Sequence, residues 1–157
     1  MSRGKAAPKR VTTPDPVHNS ELLGRFINFL MERGKKSVAQ AIVYDALRIV
    51  KAKKKEDPIK IFEQVISTAK PQVEVRSKRV GGANYQVPMP VVGKRQNALA
   101  FRWIITAAKA RKGPMAKKLA QEFLDILEGI GGTMKKKDDV HRMAEANKAF
   151  AHFARRR

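Results

Sequence analysis

Apolar positions along the 157-residue chain recur mostly with a helical period, and in one stretch with a period of two. Leu22, Leu23, Phe26, Ile27 and Leu30 share one helix face; Asn19 or Ser20 can cap it, Glu21 sits in the first turn, and Gly34 supplies the stop. Ala39, Ile42, Val43, Ala46, Ile49 and Val50 predict a second helix after Ser37, running out in the Lys51 to Lys55 cluster. Asp57-Pro58 reads as cap and first-turn proline of a third helix, with Ile59, Phe62, Val65, Ile66 and Ala69 inward and Pro71 ending it. A fourth helix over Asn97 to Ala108 turns Leu99, Trp103 and Ala107 inward and leaves Arg102 on the flank. A fifth uses Leu119, Phe123, Leu124 and Leu127 and stops at Gly129-Ile130-Gly131-Gly132. The sixth starts at Thr133 or Asp138 and continues to Phe153, with Val140, Ala144, Asn147 and Ala151 on one stripe.

Between the third and fourth helices the pattern alternates. Val73-Glu74-Val75-Arg76-Ser77 and Tyr85-Gln86-Val87-Pro88-Met89 read as two strands around the glycines at 81 and 82. A two-residue Gly81-Gly82 turn would pair Val75 with Pro88 and put the two apolar rows on opposite faces. An odd-length turn, such as Gly81 to Ala83, pairs Val75 with Met89 and Ser77 with Val87 and gathers both rows on one face, so it is the expected register. Pro88 and Pro90 lie two apart, which suits the outer edge of a lone ribbon. The predicted fold is mainly α: a six-helix bundle with one protruding β-hairpin arm (72–91) and an extended basic N-terminal arm (1–16), all in one domain spanning 1–157.

Charge then narrows the partners. The chain carries 34 Lys plus Arg against 14 Asp plus Glu, a formal net charge of +20, while hydrophobic residues at 43% still suffice for a core. Nucleic acid or an anionic membrane surface could neutralise such an excess. No apolar run approaches the ~20 residues that span a bilayer. The N-terminus is basic without an apolar stretch behind it, unlike a secretory signal. There is no Cys, which removes disulfides, thiolate metal sites and Cys nucleophiles together.

Catalytic candidates are thin. His18, His141 and His152 are the only histidines, and Asp138-Asp139-Val140-His141 is better explained as acids offsetting a helix dipole and the Lys135 to Lys137 run than as a metal site. No phosphate loop, zinc-protease motif or nucleophile–base set is present. No catalytic residue, metal or cofactor is expected. The cations instead fall in discrete clusters: the arm, Lys35-Lys36, Lys51 to Lys55, the ribbon, Lys94-Arg95, Arg102, Lys109-Arg111-Lys112, Lys117-Lys118, Lys135 to Lys137 and Arg155 to Arg157. A single cluster can be a solvated helix end. So many without compensating acids point to a wide surface touching phosphates.

Pro71 through Pro88, the Asn97-Ala98-Leu99-Ala100-Phe101-Arg102-Trp103-Ile104-Ile105 segment and the stretch from Lys135 to Phe153 closely resemble the motifs of the bacterial small-subunit ribosomal protein seven family; Pro14-Asp15-Pro16 and Gly34-Lys35-Lys36-Ser37 fit as well. The resemblance covers nearly the whole chain in order. It implies a head protein of the small subunit, in the cytoplasmic ribosome of bacterial type, binding the 3′ major domain of 16S rRNA and nucleating head assembly. Arg3, Lys5, Lys9, Arg10, Lys35, Lys36, Lys94, Arg95, Arg102, Arg111 and Lys112 would bind rRNA. Arg76, Lys78, Arg79, Gly81, Gly82 and Tyr85, with His141 and Arg142 nearby, would face exit-site tRNA and mRNA. Neighbouring small-subunit proteins are the implied protein partners, with no membrane partner and no homo-oligomer expected. An architectural DNA-binding protein whose ribbon enters the minor groove is the alternative, and a nuclease comes third.

Overall fold

The computed structural model describes Gly4 and residues 12–155. Helices α1 (Glu21–Leu30), α2 (Lys36–Lys54) and α3 (Pro58–Ala69) precede strands β1 (Val73–Val80) and β2 (Ala83–Pro90). Helices α4 (Lys94–Ala110), α5 (Met115–Leu127) and α6 (Gly132–Ala146) follow, and a 3₁₀ segment, Lys148–Arg155, closes the order. The expected helices and hairpin are all present.

The helices meet around four phenylalanines. Phe26 of α1, Phe62 of α3, Phe101 of α4 and Phe123 of α5 are buried, with centroid separations of 5.4 Å from Phe26 to Phe62 and to Phe101 and 6.0 Å from Phe123 to Phe26 and to Phe62. Most of these pairs are edge-on, the arrangement a ring quadrupole favours, and each contributes about 0.5–1.5 kcal/mol beyond its buried area. Val43, Ala46, Leu47 and Val50 of α2 join the same cluster.

Local chemistry explains most helix ends. Ser20 caps α1 by accepting from the Leu23 amide at 3.3 Å, and Asp57 caps α3 by accepting from Ile59 at 3.0 Å with Pro58 in the first turn. Several expected boundaries shift. Helix α1 ends at Met31, and Gly34 (φ +74°) serves the following turn instead of stopping the helix. Helix α2 begins at Lys36, so Ser37 lies inside it. Helix α4 begins at Lys94, after Gly93 at φ +58°. Its buried face carries Leu99, Ala100, Phe101, Ile104, Ile105 and Ala108, leaving Trp103 and Ala107 half-buried. Phe101 belongs to the four-ring cluster, and that contact rotates the helix away from the predicted stripe.

The last helix does not continue to Phe153. Asn147 ends α6, its side chain donating to the Met143 carbonyl at 2.8 Å. A 3₁₀ helix has three residues per turn, so positions three apart eclipse. Phe150 and Phe153 therefore land on one side, 6.3 Å apart and near-parallel, and both pack on Tyr85 of β2 at 5.1 and 5.3 Å.

The ribbon register is the two-residue one: Val80 pairs with Ala83 and Val75 with Pro88. The expected odd turn is wrong, for two physical reasons. Gly81 (φ +58°) and Gly82 (φ +90°) both supply the positive φ that a tight two-residue turn needs. Nor is the ribbon one-sided, because apolar side chains on both faces are shielded: Val73 and Val75 half-buried on one, Val87 buried on the other. Within the stretch expected as an N-terminal arm, Asp15 is only 2% exposed and is anchored to the bundle, while residues 1–3 and 5–11 lie outside the described residues.

Candidate nucleic-acid interface

Of the arm cations, Arg3, Lys5, Lys9 and Arg10 lie outside the described residues. The arm's root is held firmly. The Asp15 carboxylate accepts from the Val17 amide at 3.2 Å, the His18 amide at 3.0 Å and the Tyr44 hydroxyl at 2.6 Å. Burial, reinforced by the hydrogen bond and charge of Asp15, pushes the Tyr44 hydroxyl up to about 12. A methyl on Gly24 would stand 2.9 Å from the Thr13 carbonyl oxygen, so a side-chain-free position on α1 is what admits this close approach. Thr12 then lies over α1, beside Arg25, Asn28 and Phe29. Arg102 reaches the same place from α4, its guanidinium 5.7 Å from the Phe29 ring centre.

A second group forms where the α1–α2 and α4–α5 turns meet. Arg33, Lys35, Lys109 and Met115 line a recess of about 420 Å³. Lys36 and Lys112 are exposed close by in sequence, at the start of α2 and after Arg111. Lys109 pairs with Glu32, and that ammonium holds the Glu32 carboxyl below its ordinary value. Arg111 turns inward, donating through Nε at 2.9 Å and Nη2 at 2.6 Å to buried Glu122 and also pairing with Asp125.

The third group is the ribbon and the helix beside it. Glu74 is 7% exposed and anchors two arginines, Arg76 of its own strand and Arg95 of α4, whose Nε donates at 3.0 Å. Lys94, Arg79, Gly81 and Gly82 are exposed. Lys78 and Tyr85 are not displayed in the same way: Lys78 Nζ donates to the Phe153 carbonyl at 2.8 Å, and the Tyr85 ring is covered by Phe150 and Phe153. His141 Nε2 accepts from the Gln72 amide at 3.3 Å, tying α6 to the base of the ribbon. Arg142 is largely exposed and only loosely paired, 3.8 Å from Asp139.

Among the described residues, Lys35, Lys36, Arg79, Lys94, Arg102 and Lys112 make no ion pair with the chain's own acids. Such cations are available to phosphates, whereas Arg95 and Arg111 are already engaged. Sequence reasoning missed the two acids that engage them. Both carried a signal: Glu74 is the one acid in an otherwise basic ribbon, and Glu122 follows Leu119 by three residues, on an apolar helix face. No group of three or more metal-ligating side chains occurs among the described residues, and no helix there is long and apolar enough to cross a membrane.

The family model for ribosomal protein S7p/S5e matches residues 2–148. The chain is 56% identical over 155 residues to small ribosomal subunit protein uS7 of Desulfotalea psychrophila, covering 98% of this chain and 99% of that one. It is 53% and 54% identical over 154 residues to proteins of the same name from Pelagibacter ubique and Marinobacter nauticus, again covering 98% of this chain and 99% of each relative.

Proposed function

The chain belongs to the ribosomal protein S7p/S5e family, a family of structural ribosomal proteins and not of enzymes, and from that premise we propose that it organises the head of the small ribosomal subunit by binding 16S rRNA directly. The binding mode is neutralisation of phosphates from several RNA segments by cations on separate faces of one rigid bundle. One observation carries this reading: Lys35, Lys36, Lys94, Arg102 and Lys112 are exposed, unpaired within the described chain, and spread over the bundle. A catalytic cleft gathers its charges, whereas a scaffold that fixes the mutual orientation of RNA segments distributes them.

The arm residues Arg3, Lys5, Lys9 and Arg10 extend the rRNA-binding set. Arg95 and Arg111 contribute at most indirectly, by holding the ribbon base and the α4–α5 turn in place. The ribbon tip, with Arg79, Gly81 and Gly82, together with Arg76 lower on the same strand and the nearby His141 and Arg142, faces exit-site tRNA and mRNA; Lys78 and Tyr85 shape that ribbon from the side that the 3₁₀ segment covers.

The test is competition binding between a fragment of the 3′ major domain of 16S rRNA and a DNA duplex of equal length, at one salt concentration. Strong preference for the rRNA fragment is expected. Equal affinity for the two would remove the ribosomal reading in favour of a non-specific polyanion binder.

A further inference from the structure

We propose that Asn28 and Phe29 form a base-binding site, in which one unstacked RNA nucleobase lies on the Phe29 ring while a flanking phosphate meets Arg102. The inference rests on the rRNA-binding reading above and adds to it a contact that reads a base and not the backbone.

Phe29 is the anomaly that carries it. The other α1 ring, Phe26, is buried completely, but Phe29 is 40% exposed on the helix's outer flank. Its inner contact, an edge-on one with Phe101 at 5.4 Å, fixes the ring in place without covering it. Arg25, Asn28 and Phe29 are spaced three and four apart, so they share one face of α1. With Thr12 they line an open recess of about 490 Å³. The Arg102 guanidinium stands over the ring, 5.7 Å from its centre and near the outer limit of a cation–π contact, a loose hold from which it can pass to a phosphate and leave the ring face to a base. The Asn28 side chain is exposed and makes no hydrogen bond among the described residues, which leaves a donor and an acceptor for a base edge. A fixed aromatic face, a free carboxamide and the Arg102 guanidinium are the parts that recognise a splayed base in single-stranded RNA, while Arg25 at the rim is held by Glu21.

The test uses the full chain bound to the 3′-major-domain rRNA fragment. Ultraviolet irradiation followed by trypsin should yield an RNA adduct on the peptide Phe26–Arg33, and because Phe26 is buried the adduct falls on Phe29. Phe29→Leu keeps the apolar bulk against Phe101 but removes the stacking face. It should weaken binding roughly 5- to 100-fold, the range of one lost base–aromatic stack, with an unchanged salt slope because no cation is removed. Phe29→Tyr should restore affinity, and Asn28→Ala, which cannot disturb the core, should also weaken binding. Unchanged affinity in both Phe29→Leu and Asn28→Ala, or an adduct map without this peptide, overturns the site while leaving rRNA binding intact. Failure of the unaltered chain to bind the fragment overturns the parent reading instead.

Discussion

Arg111 Nη2 lies 2.6 Å from Glu122 Oε2, and the carboxylate it meets is completely withdrawn from solvent. The other oxygen, Oε1, accepts from the amide and hydroxyl of Thr133 at 2.9 and 2.7 Å. One side chain of α5 thus holds the C-terminus of α4 and the start of α6. Burial works against the charge on Arg111, but hydrogen bonds and charge from Asp125 and Glu122 outweigh it and raise the guanidinium above its ordinary value. The backbone follows the same constraint: a methyl on Gly132 would stand 3.0 Å from the Ala107 Cβ.

Removing Arg111 should therefore destabilise the fold far more than removing an exposed cation. Arg111→Ala leaves a buried carboxylate with only the Thr133 donors, and loss of one partner from a buried pair costs about 3–5 kcal/mol. Urea unfolding should show that loss for Arg111→Ala, against less than about 0.5 kcal/mol for Lys112→Ala next to it, an ordinary surface change. A loss below about 1 kcal/mol in Arg111→Ala would mean that the carboxylate relaxes toward water.

The Tyr44–Asp15 hydrogen bond predicts a pH window. The Tyr44 hydroxyl is raised from 10.0 to about 12 in the folded chain, so its contribution to stability is complete below pH 10. It declines as pH rises from there through about 12, because the unfolded chain releases the proton first. Tyr44→Phe should be less stable than the parent at neutral pH, having lost a donor to a buried acceptor, and the difference between the two should shrink across that alkaline window. Measuring the difference removes the lysine titrations common to both proteins. A difference independent of pH from 8 to 12 would show that the hydroxyl titrates normally.

Gly24 offers a test of close packing against helix propensity. In an exposed helix interior Gly→Ala stabilises by about 1 kcal/mol. Here the added methyl meets the Thr13 carbonyl oxygen at 2.9 Å and the Asp15 amide nitrogen at 3.3 Å, both backbone atoms. Overpacking of this kind costs about 1–3 kcal/mol, so Gly24→Ala should lower the denaturation midpoint and detach residues 13–15 from α1. Faster amide exchange at the Asp15 and Asn19 amides, which bond Ser20 and Asp15 carbonyls at 3.1 and 2.8 Å, would report the detachment. A stabilised Gly24→Ala would show that the segment yields.

Features that depend on neighbours in sequence were readable from the chain. Asp57-Pro58 carries its own capping logic, and Phe26, Phe62 and Phe123 recur at helical spacing, so cap and core appear as expected. Features decided by distant contacts were not. Phe101 rotates α4 because two rings of α1, Phe26 and Phe29, meet it, and Phe150 and Phe153 abandon the α-helix because Tyr85, more than sixty residues earlier, offers a surface. The ribbon register failed through its premise: alternation fixes which side chains share a face, but not whether one face or both will be covered. In the site, unpaired cations were visible as clusters. The acids that neutralise Arg95 and Arg111 were visible only as isolated exceptions, and their pairing needed the fold.

That pairing divides the basic residues into two classes with different salt signatures. A cation that meets a phosphate releases a condensed counterion, giving a slope in log affinity against log salt of about −0.7 to −0.9 per contact, from single strand to duplex. The whole chain should thus lose rRNA affinity steeply with salt. Lys35→Ala, Lys36→Ala and Lys94→Ala, which change exposed residues without ion pairs in the described chain, should each make the slope shallower by roughly that amount wherever the lysine meets RNA. Arg95→Gln should change the slope less, because Glu74 already neutralises its charge. Replacing residues 78–85 with a short turn should leave affinity within a few-fold while disturbing exit-site tRNA, since Lys78 and Tyr85 are engaged by the 3₁₀ segment and the bundle holds most of the free cations. Equal slope changes for Arg95→Gln and Lys94→Ala would show that the Arg95–Glu74 pair opens on binding and that Arg95 itself reaches RNA.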